Sequence, residues 1–87
     1  RPVAPIISTR WSTEEARDRV NEAEEIMDRA GIEPGMTVAD IGAGEGYYTV
    51  RLATRVGPKG RVLGQDIIAE VIDQLGQRVT RENRDNV

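Results

Sequence analysis

The sequence contains no cysteine, no histidine and no phenylalanine, and aromatic residues make up only 3% of its 87 positions. Without cysteine there is no disulfide and no thiolate nucleophile. Without histidine there is no imidazole base, and the usual zinc ligands go with the two residue types together. A core must therefore be assembled from Ile, Val, Leu, Ala and Met, which suits a layered α/β arrangement better than an aromatic-rich sandwich. No stretch approaches the ~18 apolar residues of a membrane span, so no membrane partner is expected. The formal charge is −3, with acidic and basic side chains interspersed. That leaves no one-signed face as a footprint for nucleic acid, and none is expected as a partner. The lack of cysteine points to a cytoplasmic location. The chain opens at Arg1-Pro2 rather than at methionine, which implies a removed N-terminus and leaves an exported precursor open.

What is present reads as one domain at most. Residues 1–11 carry two prolines, Pro2 and Pro5, without periodicity, and read as an extended arm that includes the single tryptophan, Trp11. Ser12-Thr13-Glu14-Glu15 places a hydroxyl three residues ahead of a carboxylate, a capping box that satisfies helix-start amides. One helix is expected from there to about Ala30, with Ala16, Val20, Ala23, Ile26 or Met27, and Ala30 as a narrow apolar stripe and the Arg and Glu side chains as a solvated face. Gly31 is placed to end it. Glu33-Pro34-Gly35 is turn chemistry, and Met36 to Ile41 reads as a short buried strand. Tyr47 to about Val56 reads as a helix, with Tyr48, Leu52 and Val56 four apart and Arg51 and Arg55 on another side. Arg61 to Asp66 is a second strand. Ile68, Val71, Ile72, Leu75 and Val79 mark a third helix, weakened at Gly76, and Arg84 to Val87 resemble a turn feeding a further strand. The order helix, strand, helix, strand, helix implies two parallel strands joined by a right-handed crossover.

The informative stretch is Asp40-Ile41-Gly42-Ala43-Gly44-Glu45-Gly46-Tyr47. A strand that empties into a glycine loop and then a helix leaves bare amides and a helix dipole facing one small hollow. The dinucleotide fingerprint G-x-G-x-x-G would want its third glycine where Tyr47 stands, so pyrophosphate binding is the poorer reading. Asp66 follows the last glycine by 66 − 46 = 20 residues, where an acidic side chain can accept both hydroxyls of a ribose. It could equally cap the helix that starts after it, and the two roles can coexist. Tyr47 and Tyr48 could gate or stack in the hollow; Tyr48 reads better as core.

Asp40 to Gly46 resembles motif I of the class I S-adenosylmethionine-dependent methyltransferases, an acidic residue followed by x and G-x-G-x-G. Tyr47 to Ala53, Val56 to Val62 and the closing Asp85-Asn86-Val87 are similar to that family's first helix, second strand and lead-in to a third strand. The resemblance implies a partial, three-layer Rossmann-like fold in which residues 12–87 form the N-terminal part of a cofactor-binding domain. It implies S-adenosylmethionine as cofactor, held by Gly42, Ala43, Gly44, Gly46 and Tyr47, with Asp40 near its amino-acid end, Asp66 on its ribose and Ile67 or Ile68 over its adenine. It implies no catalytic residue here, because the family draws its substrate side from later segments, and this stretch alone is expected to be inactive. The methyl acceptor stays open between a small molecule and a protein side chain. An NAD-type oxidoreductase fragment and a non-catalytic S-adenosylmethionine-binding module are the alternatives. Two parallel strands leave an unpaired edge, through which the segment could form a homo-oligomer.

Overall fold

The computed structural model describes residues 14–87. The extended arm, Trp11 and the hydroxyl at Ser12 lie outside the described residues. Among those described, the elements are α1 (14–19), α2 (Glu22–Arg29), β1 (Thr37–Ile41), α3 (Tyr47–Val56), β2 (Arg61–Gln65) and α4 (Ala69–Arg81). No helix among these residues is long and apolar enough to cross a membrane.

The single helix expected up to Ala30 is in fact two. Asn21 stands in the left-handed region at φ 57° and separates α1 from α2. Asparagine tolerates that conformation better than most residues, and Val20, on the expected apolar stripe, consequently stays 69% exposed. The stripe shrinks to Ala23 and Met27, both buried, while Ile26 faces outward. Gly31 does stand at φ 72° just past the end of α2.

The two strands pair in parallel, with Val38 opposite Val62 and Asp40 opposite Gly64. Side chains alternate across the sheet, so Val38, Asp40, Val62 and Gly64 share the face that carries the helices. Val62 is fully buried there, in a core with Ala23, Met27, Tyr47, Leu52, Ala53 and Val56. The buried strand expected from Met36 to Ile41 is half-exposed instead, since Thr37, Ala39 and Ile41 point to the opposite, uncovered face. A strand reads as continuously apolar when both faces are covered, and among the described residues one helical layer covers one face. The same geometry exposes Ile68 and Ile72, so that Leu75 is the buried residue of α4.

The second strand ends one residue earlier than expected, at Gln65, and Asp66 begins the connection to α4. At the chain's other end, the Val62 amide donates to the Asn86 carbonyl at 2.8 Å. That bond lies on the edge of β2 away from β1, since the neighbouring Arg61 amide points to the Met36 carbonyl. Asn86 fixes the position by donating its side-chain amide to the Ala53 and Gly57 carbonyls, which closes the C-terminus of α3.

Candidate functional site

Because β1 and β2 run in parallel, the loop after β1 and the residue after β2 emerge at the same sheet edge, where ligands of open α/β sheets collect. The loop from Gly42 to Gly46 is held by main-chain bonds: the Ala43 amide donates to the Gln65 carbonyl at 2.8 Å, and the Gly46 amide to the Ala43 carbonyl at 3.0 Å. Its three glycines have φ of 70°, 57° and 97°, a region that L side chains enter at a cost. They differ in what surrounds them. A Cβ on Gly42 would meet open space, and one on Gly44 only the Gly42 carbonyl, at 3.9 Å. A Cβ on Gly46 would lie 2.7 Å from Leu75 Cδ1, so the protein itself requires that position to be bare. Leu75 also crowds Gly64, at 2.9 Å from its would-be Cβ. This explains why a glycine, rather than a larger apolar residue, stands in the second strand.

Asp66 joins the two halves of the site. Its Oδ2 accepts from the Gly44 amide at 3.1 Å and its Oδ1 from the Ile68 amide at 3.1 Å, just before α4 starts. The carboxylate thus serves the approach to α4, one of the two roles weighed for it, and also braces the glycine loop, a contact that sequence reasoning did not foresee. A carboxylate offers about four lone-pair sites, so two remain for an incoming diol. Ile67, beside it, is fully exposed.

Asp40, at the inner face of β1, accepts a 2.7 Å hydrogen bond on Oδ2 from the Thr49 hydroxyl of α3. Thr49 is itself fully buried, and sequence reasoning passed over it. Its signal was weak: a hydroxyl inside a helix whose neighbours Tyr48 and Leu52 dominate the apolar pattern. The helix that follows the loop carries no side-chain cap and no acidic residue in its first turn, which leaves its positive end directed at the hollow.

A cleft of 370 Å³ opens here, lined by Glu14, Arg17, Asp40, Gly42, Ala43, Glu45, Tyr47 and Tyr48. That is at the small end of the ~300–1,000 Å³ range of ligand sites. Of the two tyrosines, Tyr47 is the more buried, and Tyr48 packs at the edge of the core. Their rings meet edge to face at 5.1 Å. The Tyr47 ring lies between two guanidinium groups, Arg17 at 4.0 Å and Arg51 at 3.9 Å from its centroid. Its hydroxyl donates to Asp18 at 2.8 Å. Burial, reinforced by that bond, pushes the Tyr47 phenol up to about 12.

The charged residues expected as a solvated face of one long helix do more than that. Two i,i+4 pairs, Arg19 with Glu15 and Arg29 with Glu25, fit the expectation. Others reach across: Asp18 pairs with Arg51 at 2.6 Å, Asp28 with Arg55 at 2.5 Å, and Glu14 with Arg78 at 3.1 Å. Arg51 and Arg55, placed on a side of α3 away from its apolar stripe, thus face α1 and α2 rather than water. The Arg51 bond, then the Tyr47 hydroxyl, hold Asp18 below its ordinary carboxylate range. Arg78 also donates to the Glu45 carbonyl at 2.9 Å, so α4 grips the glycine loop as well as α1.

The model of a family described as a methyltransferase domain matches residues 32–87. An arsenite methyltransferase of Halobacterium salinarum is 38% identical over 58 residues, which is 67% of this chain and 15% of that protein. A protein-L-isoaspartate O-methyltransferase of Triticum aestivum is 40% identical over 50 residues, 58% of this chain and 22% of that protein. Among solved structures, a SAM-dependent methyltransferase from Aquifex aeolicus superposes with a TM-score of 0.76 at 32% identity, covering 83% of this chain and 38% of its own. The chain therefore spans well under half the length of these relatives.

Proposed function

As the chain belongs to the methyltransferase-domain family, with the class I S-adenosylmethionine-dependent fold, we propose that its residues bind S-adenosylmethionine on behalf of a larger methyltransferase. The observation that carries the assignment is the 3.1 Å bond between the Gly44 amide and Asp66. It supports the reading by tying the glycine loop to a carboxylate able to accept a diol, both at the carboxyl ends of two parallel strands. The residues present fit the cofactor. Gly42 and Gly44 leave open space above the main chain, Ala43 lines the cleft between them, Gly46 closes the loop against α4, and Tyr47 supplies the helix-start amide. Asp40, held by Thr49, suits an ammonium group; Asp66 suits the ribose; the exposed Ile67 offers an apolar surface for an adenine.

When bound, the cofactor supplies an electrophilic methyl group on a sulfonium. The work of this chain is positional: it fixes the donor so that an acceptor can approach in line, and lets the apolar wall at Ile67 exclude water from one side. No residue here is assigned as a general base. The names of the relatives range from arsenite to isoaspartyl methyltransferases, which supports a shared donor site and leaves the acceptor to segments of the domain beyond these elements. An NAD-type reading fits less well, because Tyr47 fills the position where close helix–strand approach would require glycine.

Calorimetric titration with S-adenosylhomocysteine and with NAD tests the proposal. Binding of the first and not the second is expected; preference for NAD would refute it. Asp66→Ala should weaken S-adenosylhomocysteine by about 10- to 100-fold, the scale of hydrogen bonds to a charged group.

A further inference from the structure

The cleft beside the glycine loop is lined by carboxylates at Glu14, Asp40 and Glu45 and by one cationic side chain, Arg17. Most carboxylates of α1 and α2 are neutralised by arginines of α3 and α4, so a cation contributed by α1 to this cleft stands out chemically. Arg17 is also held in place before any ligand arrives. Its guanidinium stacks 4.0 Å from the Tyr47 centroid and 5.3 Å from that of Tyr48. Its Nε and Nη2 both donate to a single oxygen, Glu22 Oε2, at 3.0 and 2.7 Å. Its Glu22 bonds use Nε and Nη2, and the side chain is 31% exposed, so part of the guanidinium is open to the cleft.

We propose that Arg17 is the partner of the cofactor's α-carboxylate. The inference rests on the S-adenosylmethionine reading given above and deepens it. An amino-acid end is a zwitterion and needs opposite charges close together. Asp40 provides the anion for its ammonium group, and Arg17 the cation for its carboxylate, on the same cleft. The aromatic stack and the Glu22 pair restrict the guanidinium to one placement, so little side-chain freedom remains to be lost on binding. An arginine, unlike a lysine, keeps a second pair of donors available after satisfying Glu22.

The test compares two ligands that differ only in the carboxylate: S-adenosylhomocysteine and its decarboxylated analogue, which keeps the ammonium group. Kd values are measured by calorimetry for the wild-type chain, Arg17→Met, which retains the stem against the tyrosines, and Arg17→Lys, which retains the charge. The wild type is expected to prefer S-adenosylhomocysteine by about 10- to 100-fold, as for a charge-assisted pair. Arg17→Met should lose that preference and bind the decarboxylated ligand as the wild type does, with Arg17→Lys between them. Equal loss of both ligands in Arg17→Met would mean that Arg17 only braces the tyrosines, and would overturn the inference, as would an unchanged preference. If the wild type bound neither ligand, the cofactor reading itself would fall; if it bound both and Arg17→Met left the ratio intact, the inference about Arg17 alone would fall.

Discussion

The sharpest test of how this site is built is Gly46→Ala. Two separate penalties act there. The backbone stands at φ 97°, and a side chain in the left-handed region costs about 1–2 kcal/mol. The added Cβ would also come within 2.7 Å of Leu75 Cδ1, and forcing one carbon into a packed contact costs about 1–3 kcal/mol. The sum, about 2–5 kcal/mol, is a large share of what a chain of this size can possess. Gly42→Ala isolates the first penalty, because φ is 70° there and nothing lies within 4 Å of the new carbon. It should cost only about 1–2 kcal/mol. Urea unfolding followed by circular dichroism reads the difference; with a slope of about 1 kcal/mol per molar for a small domain, the two midpoints should be about 1–3 M apart. Leu75→Ala completes a cycle. By itself it leaves a cavity and costs about 2–5 kcal/mol, but in the Gly46→Ala background it removes the clash. The double variant should therefore be more stable than the sum of the singles by about 1–3 kcal/mol. Equal midpoints for the two alanine variants, together with strict additivity, would show that Leu75 does not set the loop's geometry.

Two further outcomes follow from single contacts. Thr49→Val keeps the shape of a fully buried side chain and removes only the 2.7 Å donation to Asp40, so it should cost about 1–3 kcal/mol, with Thr49→Ser closer to the wild type in urea unfolding; a valine variant as stable as the parent would contradict the role given to that hydroxyl. The Tyr47 phenol, raised to about 12 chiefly by burial and then by Asp18, favours the folded chain while protonated. Its contribution is therefore complete below pH ~10, the unfolded value, and is lost as pH rises towards 12. Titration of tyrosinate absorbance should place this step above the ordinary range, and Asp18→Asn should move it down. A step at the ordinary value in the wild type would show that the ring is not buried in solution.

Much of this arrangement could be read from the residues, and the failures have a common cause. Tyr47–Val56 declared itself through its four-residue spacing, and the glycine loop through its G-x-G-x-G spacing after a strand, with all three glycines at positive φ. Periodicity, however, measures how apolar residues recur and not where a helix bends. Val20 and Ala23 keep helical spacing across Asn21 although the chain leaves the helix between them. Periodicity is equally silent about charge pairing at a distance. Nothing local marks Asp18 as a partner of Arg51, 33 residues away in sequence, or Arg78 as a partner of the Glu45 carbonyl. The expected burial of β1 failed because burial depends on whether a second layer covers the sheet, which a strand's own residues do not specify. Ile41 is apolar and yet 72% exposed.

These contacts divide the site into a fixed side and an ionic side. The glycine loop is set by groups that salt cannot screen well: Leu75 against Gly46, the Ala43 amide on Gln65, and Asp66 on the Gly44 amide. The opposite wall is α1, whose Ala16 is exposed and whose attachments are Glu14 to Arg78, Asp18 to Arg51 and Tyr47, and Arg17 to Glu22 and the two tyrosine rings. Ion pairs of this kind are exposed in part and weaken as salt shortens the Debye length to about 8 Å at physiological strength and about 3 Å at 1 M. The side of the loop that carries Asp66 is thus built into the fold, whereas the cleft where Arg17 stands depends on charges that hold a helix with little apolar anchorage. A ligand carboxylate on Arg17 would add an attraction of the same kind to that helix. The ion pairs that fasten α1 to α3 and α4 should therefore loosen with rising ionic strength before the sheet beneath them loses stability.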